Sequence, residues 1–190
     1  MKVKLSKVRL SFPALFAPKA VNNSAPKYSA AFLLSKAEDA AQIDSLRAAC
    51  LAVAKEKWPT KIPVGVKYCV RDGAEKEFAG YGPTVLFVSA SNDMRPPVVD
   101  ENLSPITEAD RKMYAGCLVN VVLRLWAQDN QFGRRVNAQL QAVQFACDGE
   151  AFGDKPIDPN EEFTAAKPAA ADPYDAQPEA PVDDGTPPPF

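Results

Sequence analysis

Leu118-Val119-Asn120-Val121-Val122-Leu123-Arg124-Leu125-Trp126, the turn Asp129-Asn130-Gln131-Phe132-Gly133 and the run Arg134–Phe145 together read as one β-hairpin. In the first arm Val119, Val121, Leu123 and Leu125 face one way. Asn120, Arg124 and Trp126 face the other, along with Val122. In the second arm Val136, Ala138, Leu140 and Ala142 alternate with Arg135, Asn137, Gln139 and Gln141. A period of two in both arms, joined by a short turn, is the signature of paired antiparallel strands. One face is apolar and the other carries Arg, Asn, Gln and Trp, so the sheet is covered on one side and open on the other.

Upstream, Val3 and Leu5 alternate with Lys2 and Lys4, then Val8 and Leu10 with Lys7 and Arg9. The phase slips by one residue at Ser6-Lys7, which predicts a strand with a β-bulge and a basic open face. A Pro/Asn loop is expected through Pro13, Pro18, Asn22-Asn23 and Pro26, and a second strand over Lys27–Leu34. Ser35-Lys36-Ala37-Glu38 has the form of a capping box, in which Ser35 accepts an amide and Glu38 reaches back. From there Ile43, Leu46, Cys50 and Val53 recur at helical spacing until Trp58-Pro59, predicting one amphipathic helix. A third strand is expected over Gly65–Arg71 and a fourth over Thr84–Ser89; residues 91–113 read as irregular, with a helical turn near Glu108–Met113. Five or six strands with one inserted helix suit a small Greek-key barrel such as the OB-fold. Strand count leaves other small barrels and an α+β sandwich open.

The net charge of −2 is a cancellation. Residues 1–147 carry 20 Lys/Arg against 13 Asp/Glu, whereas Asp148–Phe190 carries 11 Asp/Glu against two Lys. A basic body is therefore joined to an acidic arm, the asymmetry expected of a polyanion binder whose tail competes with its ligand. Nine of the 18 prolines lie from Pro156 onward and Leu140 is the last leucine. Such a segment cannot bury enough apolar surface to offset its ordering entropy, so residues 154–190 are expected to be a disordered tail beyond a folded domain of residues 1–153.

No apolar run approaches the ~20 residues of a membrane span, and Met1-Lys2-Val3-Lys4 opens no signal peptide. The cysteines at 50, 69, 117 and 147 form no Cys-x-x-Cys pair, and there is no histidine. Zinc binding and thiol catalysis therefore lack their usual partners. The cysteines read as small buried hydrophobes in a reducing compartment. With the commonest general base absent and no Walker loop, nucleophile elbow or paired carboxylates, the chain reads as a binder with no cofactor, not an enzyme.

Two resemblances sharpen this. The acidic tail ending Asp183-Asp184-Gly185-Thr186-Pro187-Pro188-Pro189-Phe190 resembles the tails of single-stranded DNA-binding proteins. In the body, Arg9-Leu10-Ser11-Phe12-Pro13-x-Leu15-Phe16, Lys27-Tyr28-Ser29, Tyr114-Ala115-Gly116-Cys117 and Gly149-Glu150-x-Phe152-Gly153 resemble a bacteriophage and prophage family, long a domain of unknown function, whose members are single-stranded DNA-binding proteins. The resemblance implies an OB-fold and a protein that coats single strands during replication or recombination in the cytoplasm of an infected bacterium; monomer and dimer both stay open. Asp183, Asp184 and Phe190 would then dock into a partner pocket with a basic rim and an apolar floor. The rival reading is a protein–protein adaptor or structural phage protein with a basic face.

Single-strand binding requires cations for phosphates and flat rings on which bases stack. Charge and expected exposure single out Lys7, Arg9, Lys27, Tyr28, Lys67, Arg71, Tyr81, Arg95, Arg124, Trp126, Phe132, Arg134 and Arg135. Tyr81 is expected to stand exposed between Gly80 and Gly82, and Phe132 to form a hairpin clamp with Arg134 and Arg135. Lys7 and Arg9 could equally be a solvated strand face. Phe32, Phe87, Phe145 and Tyr68 read as core.

Overall fold

Strand β1 (Lys2–Lys19) begins with the predicted alternation and the predicted slip. Its register against β7 (Leu118–Asn130) shifts between Leu5 and Val8, with Lys7 at φ 52°. The expected loop after residue 11 is instead more of the same strand. β1 runs through Pro13 by a second irregularity against β2 (Lys27–Ser35), between Ser11 and Ala14, where Phe12 sits at φ 47°. A bulge frees a residue from ladder pairing, and so it accommodates a proline inside a strand. The computed structural model describes residues 1–20 and 24–153. The predicted tail, with Asp183, Asp184 and Phe190, lies outside the described residues.

Helix α1 (Ala40–Lys57) buries Ile43, Leu46, Cys50 and Val53, the predicted stripe, against β1, β7 and β8 (Gly133–Cys147). Full burial of each large apolar side chain contributes about 1.5–3 kcal/mol. The helix stops at Trp58, before Pro59, as expected. Its start differs from the prediction. Ser35 Oγ does accept the Glu38 amide, but Asp39, not Glu38, reaches back to the Ser35 amide, at 2.8 Å. The box therefore closes one residue later and the helix begins at Ala40.

The expected third strand is two short pieces, β3 (Lys67–Tyr68) and β4 (Val70–Asp72), split because they pair with different neighbours. β3 runs parallel to β8, and β4 runs antiparallel to β5 (Val85–Asn92). A two-residue β6 (Val98–Val99) and a single 3-10 turn at Glu108–Asp110 interrupt the irregular stretch. Strands β1, β2, β5, β8 and β7 pair in that cyclic order, closed by the parallel β5–β8 contact at Ala90↔Ala138 and Ser91↔Gln139. This is a five-stranded Greek-key OB barrel.

The barrel interior holds Leu5, Leu10, Phe32, Leu34, Leu123, Leu125 and Leu140. In β8 the predicted phase fails after Leu140. The register shifts so that Val122 pairs with Ala142, and Val143 and Phe145 turn inward in place of Ala142. Phe32 and Phe145 are barrel core. Phe87 is equally buried but lies on the outer face of the sheet, under Arg71 and Tyr81.

Candidate nucleic-acid interface

Outward-facing positions of β5, β7 and β8, together with the β3–β4 segment and the start of β2, enclose an open groove of about 680 Å³. Its cations are Lys27, Lys67, Arg71, Arg124 and Arg135, set against a single lining carboxylate, Asp93. Lys27 pairs with Asp93 at 3.1 Å. Among the described residues Lys67, Arg71, Arg124 and Arg135 have no ion-pair partner. In water-filled grooves walled by protein, charge of one sign concentrates the potential and draws in the opposite sign.

The floor is amide and hydroxyl. Asn137 Nδ2 donates to Gln128 Oε1 at 2.9 Å, and Asn92 Nδ2 donates to the Leu140 carbonyl at 2.8 Å. The Gln139 amide reaches Asn92 Oδ1, and Arg71 donates to Ser89 Oγ, both at 3.4 Å. These bonds orient donors and acceptors without neutralising the cations. Trp126 lines the same groove with its residue 44% exposed, leaving a ring face open for stacking.

Six of the predicted site residues are thus gathered: Lys27, Lys67, Arg71, Arg124, Trp126 and Arg135. The other seven are placed elsewhere. Successive strand residues point to opposite faces, so only Arg135 enters the groove. Arg134 pairs with its cross-strand neighbour Asp129 at 3.4 Å. Phe132 projects alone from the hairpin tip, 70% exposed, so the expected three-residue clamp does not form. Tyr28 shares the inward phase of Ala30, Phe32 and Leu34 at the barrel end. Lys7 is exposed on the bulge, its amide donating to Asn120 Oδ1 at 3.0 Å. Arg9 lies over the Phe152 ring and pairs with Glu150, and Arg95 lies over Phe16.

Tyr81 does not stand exposed as expected. Its ring is half-buried against Phe87, Phe12 and Phe78, and its hydroxyl donates to Ser11 Oγ at 3.3 Å. Burial pushes its phenol above the ordinary range. The flanking glycines do not expose the ring. Gly80, at φ +81°, lets the loop lie against Phe152, where any Cβ would collide with that ring.

Reading the chain alone missed Ser89, Ser91 and Asn92 as lining, although Ser89 and Ser91 at alternate positions of β5 were a visible signal. It also missed Cys69, which lines the groove with its Sγ 3.6 Å from that of Cys50. The hydrogen bond between the two thiols holds the Cys69 pKa below the ordinary thiol range and pushes Cys50 up. Among the described residues no group of three potential metal ligands gathers, and no helix is long and apolar enough to cross a membrane.

A closed OB barrel with a cationic, amide-floored groove across its sheet and hairpin face defines the class of oligonucleotide-binding OB-fold proteins. Across residues 1–174 the sequence matches the family described as "Enterobacter phage Enc34, ssDNA-binding protein", and the chain belongs to that family. It is 40% identical over 173 residues, 86% of this chain and 92% of the other, to putative protein p50 of Acyrthosiphon pisum secondary endosymbiont phage 1. Among solved structures it is similar to the single-stranded DNA-binding protein of bacteriophage Enc34 in complex with ssDNA. That match has a TM-score of 0.71 and 28% identity, and covers 80% of this chain and 89% of that one. The bacteriophage T7 single-stranded DNA-binding protein gp2.5 shares the fold, with a TM-score of 0.52 and 13% identity, over 83% of this chain and 97% of that one.

Proposed function

We propose that the groove binds single-stranded DNA without sequence preference, and that the protein protects single strands during phage replication or recombination in the host cytoplasm. The observation that carries this is the convergence of Lys67, Arg71, Arg124 and Arg135, none of them ion-paired among the described residues, with the open ring of Trp126. Cations track phosphates at any sequence, and every base offers a π-face. The family supports the reading, since its named member binds ssDNA. A gel shift with poly-dT and with duplex of equal length tests it: binding to the single strand should be tighter and should weaken as salt rises. Equal affinity for both forms would overturn the assignment.

The acidic residues beyond Asp148 are proposed to compete with DNA for the groove and, once displaced, to present Asp183, Asp184 and Phe190 to replication or recombination proteins. Charge complementarity between the two parts of the chain supports the competition. Deleting residues 154–190 should tighten DNA binding, most at low salt where screening is weakest. Unchanged or weaker affinity removes the competition.

A further inference from the structure

A cluster of aromatic rings lies outside the groove lining and meets it at Arg71. Phe12 and Phe78 are 55% and 51% exposed, with ring centroids 5.1 Å apart in an edge-to-face contact. Both rings also meet Tyr81, which packs on Phe87 at 5.2 Å, and the Arg71 guanidinium lies 4.6 Å from the centre of that same Phe87 ring. Arg71 is itself a groove residue. Packing contacts therefore link the groove to the aromatic cluster, from Arg71 over the buried Phe87 ring to Tyr81.

The rings are held outward at a cost. Phe12 keeps a left-handed backbone at φ 47°, which a bulky residue rarely adopts and which puts its ring in water. The Phe78–Gly82 loop is braced from two sides. Gly80 abuts Phe152, and the Tyr81 hydroxyl is tied to Ser11. Phe12 and Phe78 stay half in water, although such rings are usually buried. Exposed rings on a braced frame, joined to a cationic track, form a stacking platform.

Resting on the groove reading above, we infer that Phe12 and Phe78 form a second subsite of the DNA track, taking one or two bases of a strand that leaves the groove past Arg71. The ligand moiety is the base, not the phosphate, because the exposed surface here is ring and not cation. The subsite extends the footprint and adds affinity without adding a salt-sensitive contact.

The test is a titration of full-length protein with oligo(dT) of graded length, about 4–16 nucleotides, the span of one OB-fold. Affinity for the longest oligomers should fall roughly 5- to 100-fold in Phe78→Ala, the equivalent of one stacked base. Affinity for the shortest should stay at the wild-type value, and the slope of log affinity against log salt should not change. Phe78→Tyr should restore the long-oligomer affinity, and Phe12→Ala should repeat the loss. Retained short-oligomer binding shows that the variants are folded. If Phe78→Ala and Phe12→Ala follow the wild type at every length, the subsite is overturned and the patch belongs to another occupant, while the groove stands. An equal loss at all lengths also overturns it. No binding of any oligo(dT) by the wild type would overturn the groove reading itself.

Discussion

Lys67 and Arg135 are register partners across the parallel β3–β8 pair, so two cations stand side by side on one wall of the groove. Lys2 and Arg124 repeat the pattern across β1 and β7. Like charges on neighbouring strands destabilise a sheet. Under the proposed single-strand binding, a polyanion in the groove would relieve that repulsion.

Arg135→Gln should therefore act in opposite directions on the free protein and on the complex. Without DNA the variant should gain roughly a few tenths of a kcal/mol at low salt, read by thermal melting. With oligo(dT), affinity should fall, and the salt slope should shrink by about 0.7 because one fewer phosphate is neutralised. A stable variant with an unaltered slope would remove Arg135 from the track.

The two tryptophans should respond differently. Trp126 is open in the groove, whereas Trp58 is half-buried and its indole N–H donates to Asp129 at 3.0 Å. Oligo(dT) should quench Trp126 fluorescence, and Trp58→Phe should keep the quench. Trp126→Ala should abolish it and weaken binding by about 1–3 kcal/mol.

Cys69 offers a footprint without mutation. Its thiol pKa is lowered by the hydrogen bond with Cys50, so its thiolate fraction at neutral pH exceeds that of an ordinary cysteine. Burial pushes Cys117 up to about 11, and that residue should stay unreactive. Iodoacetamide should label Cys69 and the exposed Cys147, and saturating oligo(dT) should slow Cys69 alone. Mass spectrometry of the digested peptides reads the result.

Asp129 ties the hairpin to the end of α1. The Trp58 N–H, and then Arg134, hold its carboxyl below the usual aspartate range. A depressed folded pKa contributes stability that is fully present above about pH 3.9 and is lost as pH falls through the folded value. Trp58 emission should therefore change below about pH 4. Asp129→Asn should flatten that acid transition, followed by fluorescence between about pH 2 and 6.

The barrel rests on a few large side chains. Phe32 is fully buried at the centre of β2, and Phe32→Ala should cost about 3–5 kcal/mol in urea unfolding.

Much of this was legible in the chain. Alternation is a local property, so the hairpin, the basic strand with its slip at Ser6-Lys7 and the α1 stripe could be read directly. Such reading failed where tertiary contact overrode local pattern. The register shift where Val122 meets Ala142 turned Val143 inward, Pro13 was carried inside β1, and the third strand was divided between two partners. Tyr81 went wrong for a related reason. Flanking glycines report what a backbone can do, not where it goes, and here their freedom lets the loop fold back onto Phe152.

The sequence by itself determined the barrel's strands, their apolar and polar faces and the opposed charge of body and tail, because period and composition are written residue by residue. Only the tertiary structure decided which cations meet. Lys27, Lys67, Arg71, Arg124 and Arg135 come from five separate strands, and the parallel β5–β8 closure brings those strands around one groove. The same closure leaves Lys7, Arg9 and Arg95 outside it. Long-range pairing chose among residues that charge alone had made equivalent.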